Sequence, residues 1–163
     1  MRRFMPALER CCPGQGVVEG KPGLIKLYFW PTPNGYKISI LLEELGLPYE
    51  VEGIHIGKGE QFEKRFLEVS PNNKVPAIID TVGPSGTPVA MFESAAIMMY
   101  LAEKCGFRFM PSEMEQRYGV IQWLMFQAAS MAPMLGQAHH FREYSKEKLQ
   151  YAIGRFTSEA SRL

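Results

Sequence analysis

Two short polar side chains, Thr32 and Asn34, stand together in Pro31-Thr32-Pro33-Asn34-Gly35, directly after an apolar run and directly before a helical pattern. A hydroxyl, an amide and the unpaired N–H groups of a helix start can converge there on an anion, because the first helical turn carries partial positive charge and free donors. The same residue types are also the ordinary choices for turns and N-caps, where no ligand is needed. A second pair, Glu93-Ser94, opens another helical run. There, Ser94 and the adjacent N–H groups can receive a carboxylate while Glu93 meets an ammonium; plain N-capping is the alternative, and the two readings are compatible.

The elements that must position these residues follow from the apolar pattern. Leu24 to Trp30 reads as a strand closed by the Pro- and Gly-rich turn, and Ile38, Ile40, Leu41, Leu42 and Leu45 recur at helical spacing up to Gly46, predicting a helix over 36–45. Tyr49 to Ile56 alternates as a strand, and Phe62, Phe66, Leu67 and Val69 suggest a short irregular helix. Val75 to Asp80 and Val89 to Phe92 are two short strands around a hairpin-like connection, followed by a helix from Glu93-Ser94 to about Cys105 that Gly106 stops. The order βαβαββα is that of the thioredoxin fold, although periodicity alone supports only a small α/β domain. Beyond Pro111 the pattern is helical only, over 114–131 and 146–163.

With 163 residues, the chain has room for one ordinary domain or for a small domain plus part of another. Nearly half of the residues are hydrophobic and 21% are charged, as in globular chains with a packed core. A net charge of +1 excludes the clustered basic field that nucleic acid requires. The three cysteines, with Cys11 and Cys12 adjacent, fit no metal or disulfide spacing, so a reducing cytoplasm is expected. Neither a secretory signal nor an apolar run of about 20 residues is present, which argues against membrane insertion. Residues 1–24 carry repeated Pro and Gly without periodicity and read as a flexible leader. His139-His140 lack the i, i+4 spacing of a helix-borne metal site and read as structural, so no metal is expected.

The segments LYFWPTPNGYK, GKGEQF, SPNNKVPAIID, FESAAIMMYLAEK, QWLMFQ, PMLGQAHHF and YAIGRF occur in order through residues 25–163. In that series the chain resembles the glutathione transferase superfamily, most closely its Nu class of bacterial glutathione-dependent disulfide-bond oxidoreductases. The resemblance implies a thioredoxin-like glutathione-binding domain over 25–106 and an incomplete all-helical domain over 107–163, since similar proteins continue with further helices. It also implies a homodimer, with glutathione as cosubstrate and a small disulfide or electrophile as partner.

The site residues follow from the same resemblance. Thr32 and Asn34 are expected to contact the glutathione sulfur, whose thiol must be held as thiolate below its usual pKa of about 8.5. A cis Val75-Pro76 bond would offer the Val75 backbone to the cysteinyl portion, whereas base rates alone favour trans. Glu93 and Ser94 would hold the γ-glutamyl end, and Gln61 and Lys74 would touch the tripeptide. Gln122 and Arg155 would approach the ligand from the helical part. The ordinary alternative for Gln61, Lys74 and Arg155 is a solvated surface side chain. Tyr28 suits a core strand and is given no catalytic role; Met125, Met131 and Met134 with Trp123 and Phe126 read most simply as interhelical packing. The activity implied is disulfide reduction through bound glutathione, with conjugation of electrophiles or a non-catalytic binding role as the alternatives.

Overall fold

Ile25, Leu27 and Tyr28 are all buried, so the first strand is covered on both faces, as its unbroken apolar run requires of a central strand. This strand, β1 (Ile25–Phe29), belongs to a computed structural model that describes residues 23–163. The expected leader lies outside the described residues except for Gly23 and Leu24. The chain divides into two compact units, one ending at Met110 and one spanning Pro111–Leu163.

The first unit continues with α1 (Pro33–Leu45), β2 (Tyr49–Gly53), two 3₁₀ turns (Ile56–Lys58 and Glu60–Phe62) and α2 (Lys64–Leu67). It closes with β3 (Ala77–Asp80), β4 (Val89–Phe92) and α3 (Ser94–Lys104), giving the expected βαβαββα order. The strands lie in the order β2-β1-β3-β4, with β1 parallel to β2 and the other two pairs antiparallel. Ile25 and Leu27 join Ile38, Leu42, Leu45, Ile78, Ile97 and Leu101 in one core. On the opposite face Tyr28 meets Ile54, Phe66, Val69 and Ala77, its ring 5.7 Å from that of Phe66. Each fully buried Leu or Ile contributes about 1.5–3 kcal/mol relative to exposure, so these clusters are the main source of the unit's stability.

The helix α1 begins three residues before its apolar periodicity does. Thr32 caps it, Pro33 fits the first turn with its fixed φ, and Ile38, Leu42 and Leu45 bury one stripe. Gly46 ends it in the left-handed region at φ 68°, where a residue without Cβ is unstrained. Gly35 is required for another reason: a Cβ there would lie 2.5 Å from the Trp30 carbonyl oxygen, so only glycine lets α1 start this close to β1.

At the far end of β3, the Asp80 carboxylate is fully buried and accepts from Tyr100 Oη at 2.6 Å, Lys104 Nζ at 2.8 Å and the Val82 N–H at 3.0 Å. A buried charge persists only when paired in this way. Burial, and then the bond to Asp80, pushes the Tyr100 phenol well above its ordinary range.

In the second unit the expected 114–131 helix is longer. α4 (Met114–Phe126) runs through a π-helical stretch (Gln127–Met131) into α5 (Ala132–His139) and a second π stretch (His140–Tyr144). Pro133 sits in the first turn of α5, directly after the widened turn, where its missing N–H breaks no regular ladder bond. The last helix, α6 (Gln150–Arg162), starts four residues later than its pattern and packs on α5, with Phe141 and Phe156 stacked at 5.4 Å. Trp123 and Met125 are exposed rather than packed between helices, while Met131 and Met134 are half-buried. Among the described residues no helix is long and apolar enough to cross a membrane.

Candidate glutathione site

The strand register decides what meets at one end of the sheet. Phe29 pairs with Gly53, Tyr28 with Ala77, and Ala77 with Phe92. The chain therefore leaves β1 toward Thr32, leaves β2 toward His55 and Gln61, enters β3 from Val75-Pro76 and leaves β4 toward Glu93-Ser94, all at that end. The two packed helices α1 and α3 both start there, so two N-terminal partial charges face the same region.

Thr32 Oγ1 accepts from the Gly35 N–H at 3.1 Å, as an N-cap does. A hydroxyl has one donor and two lone pairs, so this bond leaves its O–H to give to something else. Asn34 lies inside the first turn of α1, exposed, and its Oδ1 accepts from Lys37 Nζ at 2.8 Å. Burial holds the Lys37 ammonium below its ordinary pKa.

The Val75-Pro76 bond is cis. The loop before it is fixed where Ser70, fully buried, donates through Oγ to the Lys74 carbonyl at 2.8 Å, while Lys74 itself is exposed. Glu93 occupies the left-handed side of the backbone map at φ 69°, a conformation that costs a non-glycine residue about 1–3 kcal/mol and is concentrated at ligand sites. Its carboxylate accepts from Asn72 Nδ2 at 3.2 Å. The Glu93 side chain makes no cap bond to α3, so the plain N-cap reading of Glu93 is not realised and the donors of the first turn are not taken by it.

On the β2 flank, the His55 and Trp30 rings meet at a tilt of 39° with centroids 4.1 Å apart, and the His55 backbone N–H donates to Glu60 Oε2 at 2.7 Å. His55 Nδ1 and Gln61 Oε1 are shut off from solvent and have no hydrogen-bond partner among the described residues.

The first unit thus brings Thr32, Asn34, Gln61, Lys74, Val75, Pro76, Glu93 and Ser94 to one sheet end. Gln122 and Arg155 belong to the second unit. Gln122 is exposed on α4; Arg155, exposed on α6, lines with Met134, Tyr151 and Phe156 an open groove of about 610 Å³. Reading the sequence missed Trp30, His55 and Lys37. Only Lys37 had a legible signal, its i, i+3 spacing from Asn34. His139 and His140 set their rings against Tyr144 and Phe141, and among the described residues no group of three potential ligands could hold a metal.

Residues 23–103 match the glutathione S-transferase N-terminal domain family. The chain is 48% identical over 141 residues to the disulfide-bond oxidoreductase YfcG of Escherichia coli, covering 86% of this chain and 65% of YfcG. It is 45% identical over 147 residues to the disulfide-bond oxidoreductase YghU of the same organism, covering 85% of this chain and 49% of YghU. A glutathione transferase family member from Pseudomonas fluorescens, solved with two glutathione bound, superposes with a TM-score of 0.83 at 46% identity, over 87% of this chain and 63% of that one. A glutathione transferase from Pseudomonas putida, solved with one glutathione disulfide per subunit, gives 0.82 at 42% identity, over 87% and 62%. The chain spans about half to two thirds of the length of these relatives. Through residues 23–103 it belongs to the glutathione S-transferase N-terminal domain family.

Proposed function

We propose that the chain reduces disulfides by thiol–disulfide exchange through bound glutathione, as a Nu-class member of the superfamily. The observation that carries this reading is the meeting of two helix N-termini, one with a cap hydroxyl to spare and one where the Glu93 side chain makes no cap bond, around the Val75-Pro76 segment. Residues 25–106 form the glutathione-binding domain in this reading, and 107–163 belong to the helical domain.

Thr32 Oγ–H, Asn34 Nδ2 and the α1 mouth hold the glutathione sulfur as an anion, because each donor stabilises the thiolate more than the thiol. The Val75 backbone pairs with the cysteinyl portion, Ser94 and the α3 mouth take the γ-glutamyl carboxylate, and Glu93 meets its ammonium. Gln61 and Lys74 serve the glycyl end, and Gln122 and Arg155 act from the helical domain.

The thiolate attacks one sulfur of the substrate disulfide, forming a mixed disulfide and expelling the other sulfur as a thiolate that takes up a proton. A second glutathione thiolate then attacks the glutathione sulfur of that intermediate. Glutathione disulfide and the second substrate thiol leave, so two glutathiones are oxidised as one disulfide is reduced. No protein cysteine takes part. The names of YfcG and YghU favour this chemistry, whereas the family's transferases support conjugation of an electrophile as the second reading.

The test compares glutathione-dependent reduction of 2-hydroxyethyl disulfide with conjugation of chlorodinitrobenzene. Thr32→Ala and Asn34→Ala should each lower the reductase kcat by about 100-fold, the scale seen when a donor to a developing anion is removed. Wild-type rates in both variants would take these residues out of the mechanism, and faster conjugation than reduction would favour the second reading. The same reading expects a cytoplasmic homodimer, which light scattering of the chain checks for mass.

A further inference from the structure

An anion held by Asn34 needs the amide's N–H₂ end and is repelled by its oxygen. The terminal torsion of asparagine is broad and roughly two-fold, so both ends are accessible unless a neighbour selects one. Lys37, one turn further along α1, supplies that selection: its Nζ lies 2.8 Å from Asn34 Oδ1, a charge-assisted bond that an amide nitrogen could not accept. The flipped amide would set two donors against each other. A cation so close to a helix N-terminus opposes the helix dipole, and here it is also half-buried, with a pKa held down by burial.

We propose that Lys37 is a positioning residue: by binding Asn34 Oδ1 it locks the carboxamide with Nδ2 free to donate to the glutathione sulfur. The inference rests on the function proposed above, and it assigns Lys37 an effect that passes through Asn34 rather than through ligand contact.

The experiment measures kcat and KM for glutathione in 2-hydroxyethyl disulfide reduction, together with the ultraviolet thiolate band of bound glutathione. The variants are Lys37→Met, Lys37→Ala, Lys37→Gln, Lys37→Arg, Asn34→Ala and the double variant Asn34→Ala/Lys37→Met, with the folded state of each checked by thermal unfolding. Lys37→Met and Lys37→Ala should lower kcat by about tenfold, the effect of losing one orienting hydrogen bond, with KM within about twofold and a weakened thiolate band. Lys37→Gln, which can still donate to Oδ1, and Lys37→Arg should keep most of the rate. The double variant should be no slower than Asn34→Ala, because the two losses are one loss.

Wild-type kcat in both Lys37→Met and Lys37→Ala would overturn the proposal. So would losses that multiply in the double variant, or a Lys37→Gln as slow as Lys37→Met beside an unimpaired Lys37→Arg, since the charge and not the orientation would then matter. A slow Asn34→Ala with unimpaired Lys37 variants removes this inference alone. An unimpaired Asn34→Ala, or no glutathione-dependent turnover in the wild type, removes the functional reading and this inference with it.

Discussion

The two units bury their residues very differently. Among the described residues every buried one except Ala138 lies in the first unit, where a four-stranded sheet is covered by apolar side chains on both faces. In the second unit Trp123 is 67% exposed and Tyr151 82% exposed, and contact between helices rests on pairs such as Phe141 on Phe156. Placement differs too: the expected site residues of the first unit stand at or beside strand ends that the sheet register holds together, whereas Gln122 and Arg155, in the second unit, each ride on a single helix face. The lesson is that precision of placement follows core density, because a packed interior transmits position from one element to the next.

Breaking the first unit's interior should show the largest effect. Asp80→Ala leaves the Lys104 ammonium and the Tyr100 hydroxyl without their shared acceptor and should cost about 3 kcal/mol or more, read as a lower urea midpoint. A midpoint near wild type would mean that this end of the sheet does not depend on the buried charge.

A matched pair of truncations tests the contrast directly. Leu101→Ala, at a fully buried position, should lose about 2–5 kcal/mol. Trp123→Ala, although it removes far more atoms, should stay within about 0.5 kcal/mol. Equal losses would erase the distinction between the units.

The smallest effect is a pH dependence. Tyr100 has a folded pKa above its ordinary 10.0, so its contribution is fully present below that value and is lost as pH rises through the folded pKa, because the unfolded chain gives up the phenolic proton first. Thermal midpoints should therefore fall more steeply in wild type than in Tyr100→Phe from about pH 9 to about pH 11. Parallel slopes would show that Tyr100 is not responsible.

Much of the first unit was legible because apolar runs and punctuating residues agree there: Gly46 and Gly106 stand where α1 and α3 end. The start of α1 was not, because Pro33, Asn34 and Gly35 carry no apolar signal, although Thr32 and Pro33 are the usual opening of a helix. Asp80 stands in the sequence as the last residue of a strand, and its side-chain partners arrive from α3, twenty and more residues later. The π stretches were invisible because periodicity assumes a regular turn. At the site, cap chemistry pointed to Thr32 and Glu93, but their convergence depends on which residues pair across strands, and that is a property of the folded sheet. Lys37 stands at the spacing that lets it reach Asn34, but spacing alone does not tell a bonded pair from two solvated side chains.

The approach of α1 to the Trp30 carbonyl has a consequence for how this segment can vary. Any side chain at residue 35 must lever the helix outward by pushing on backbone, and the cap hydroxyl and the carboxamide at 32 and 34 would travel with it. Position 35 is therefore closed to sequence drift for the sake of its neighbours, while Tyr36 beside it, half-exposed, sets its ring edge-on to Phe29 at 5.5 Å.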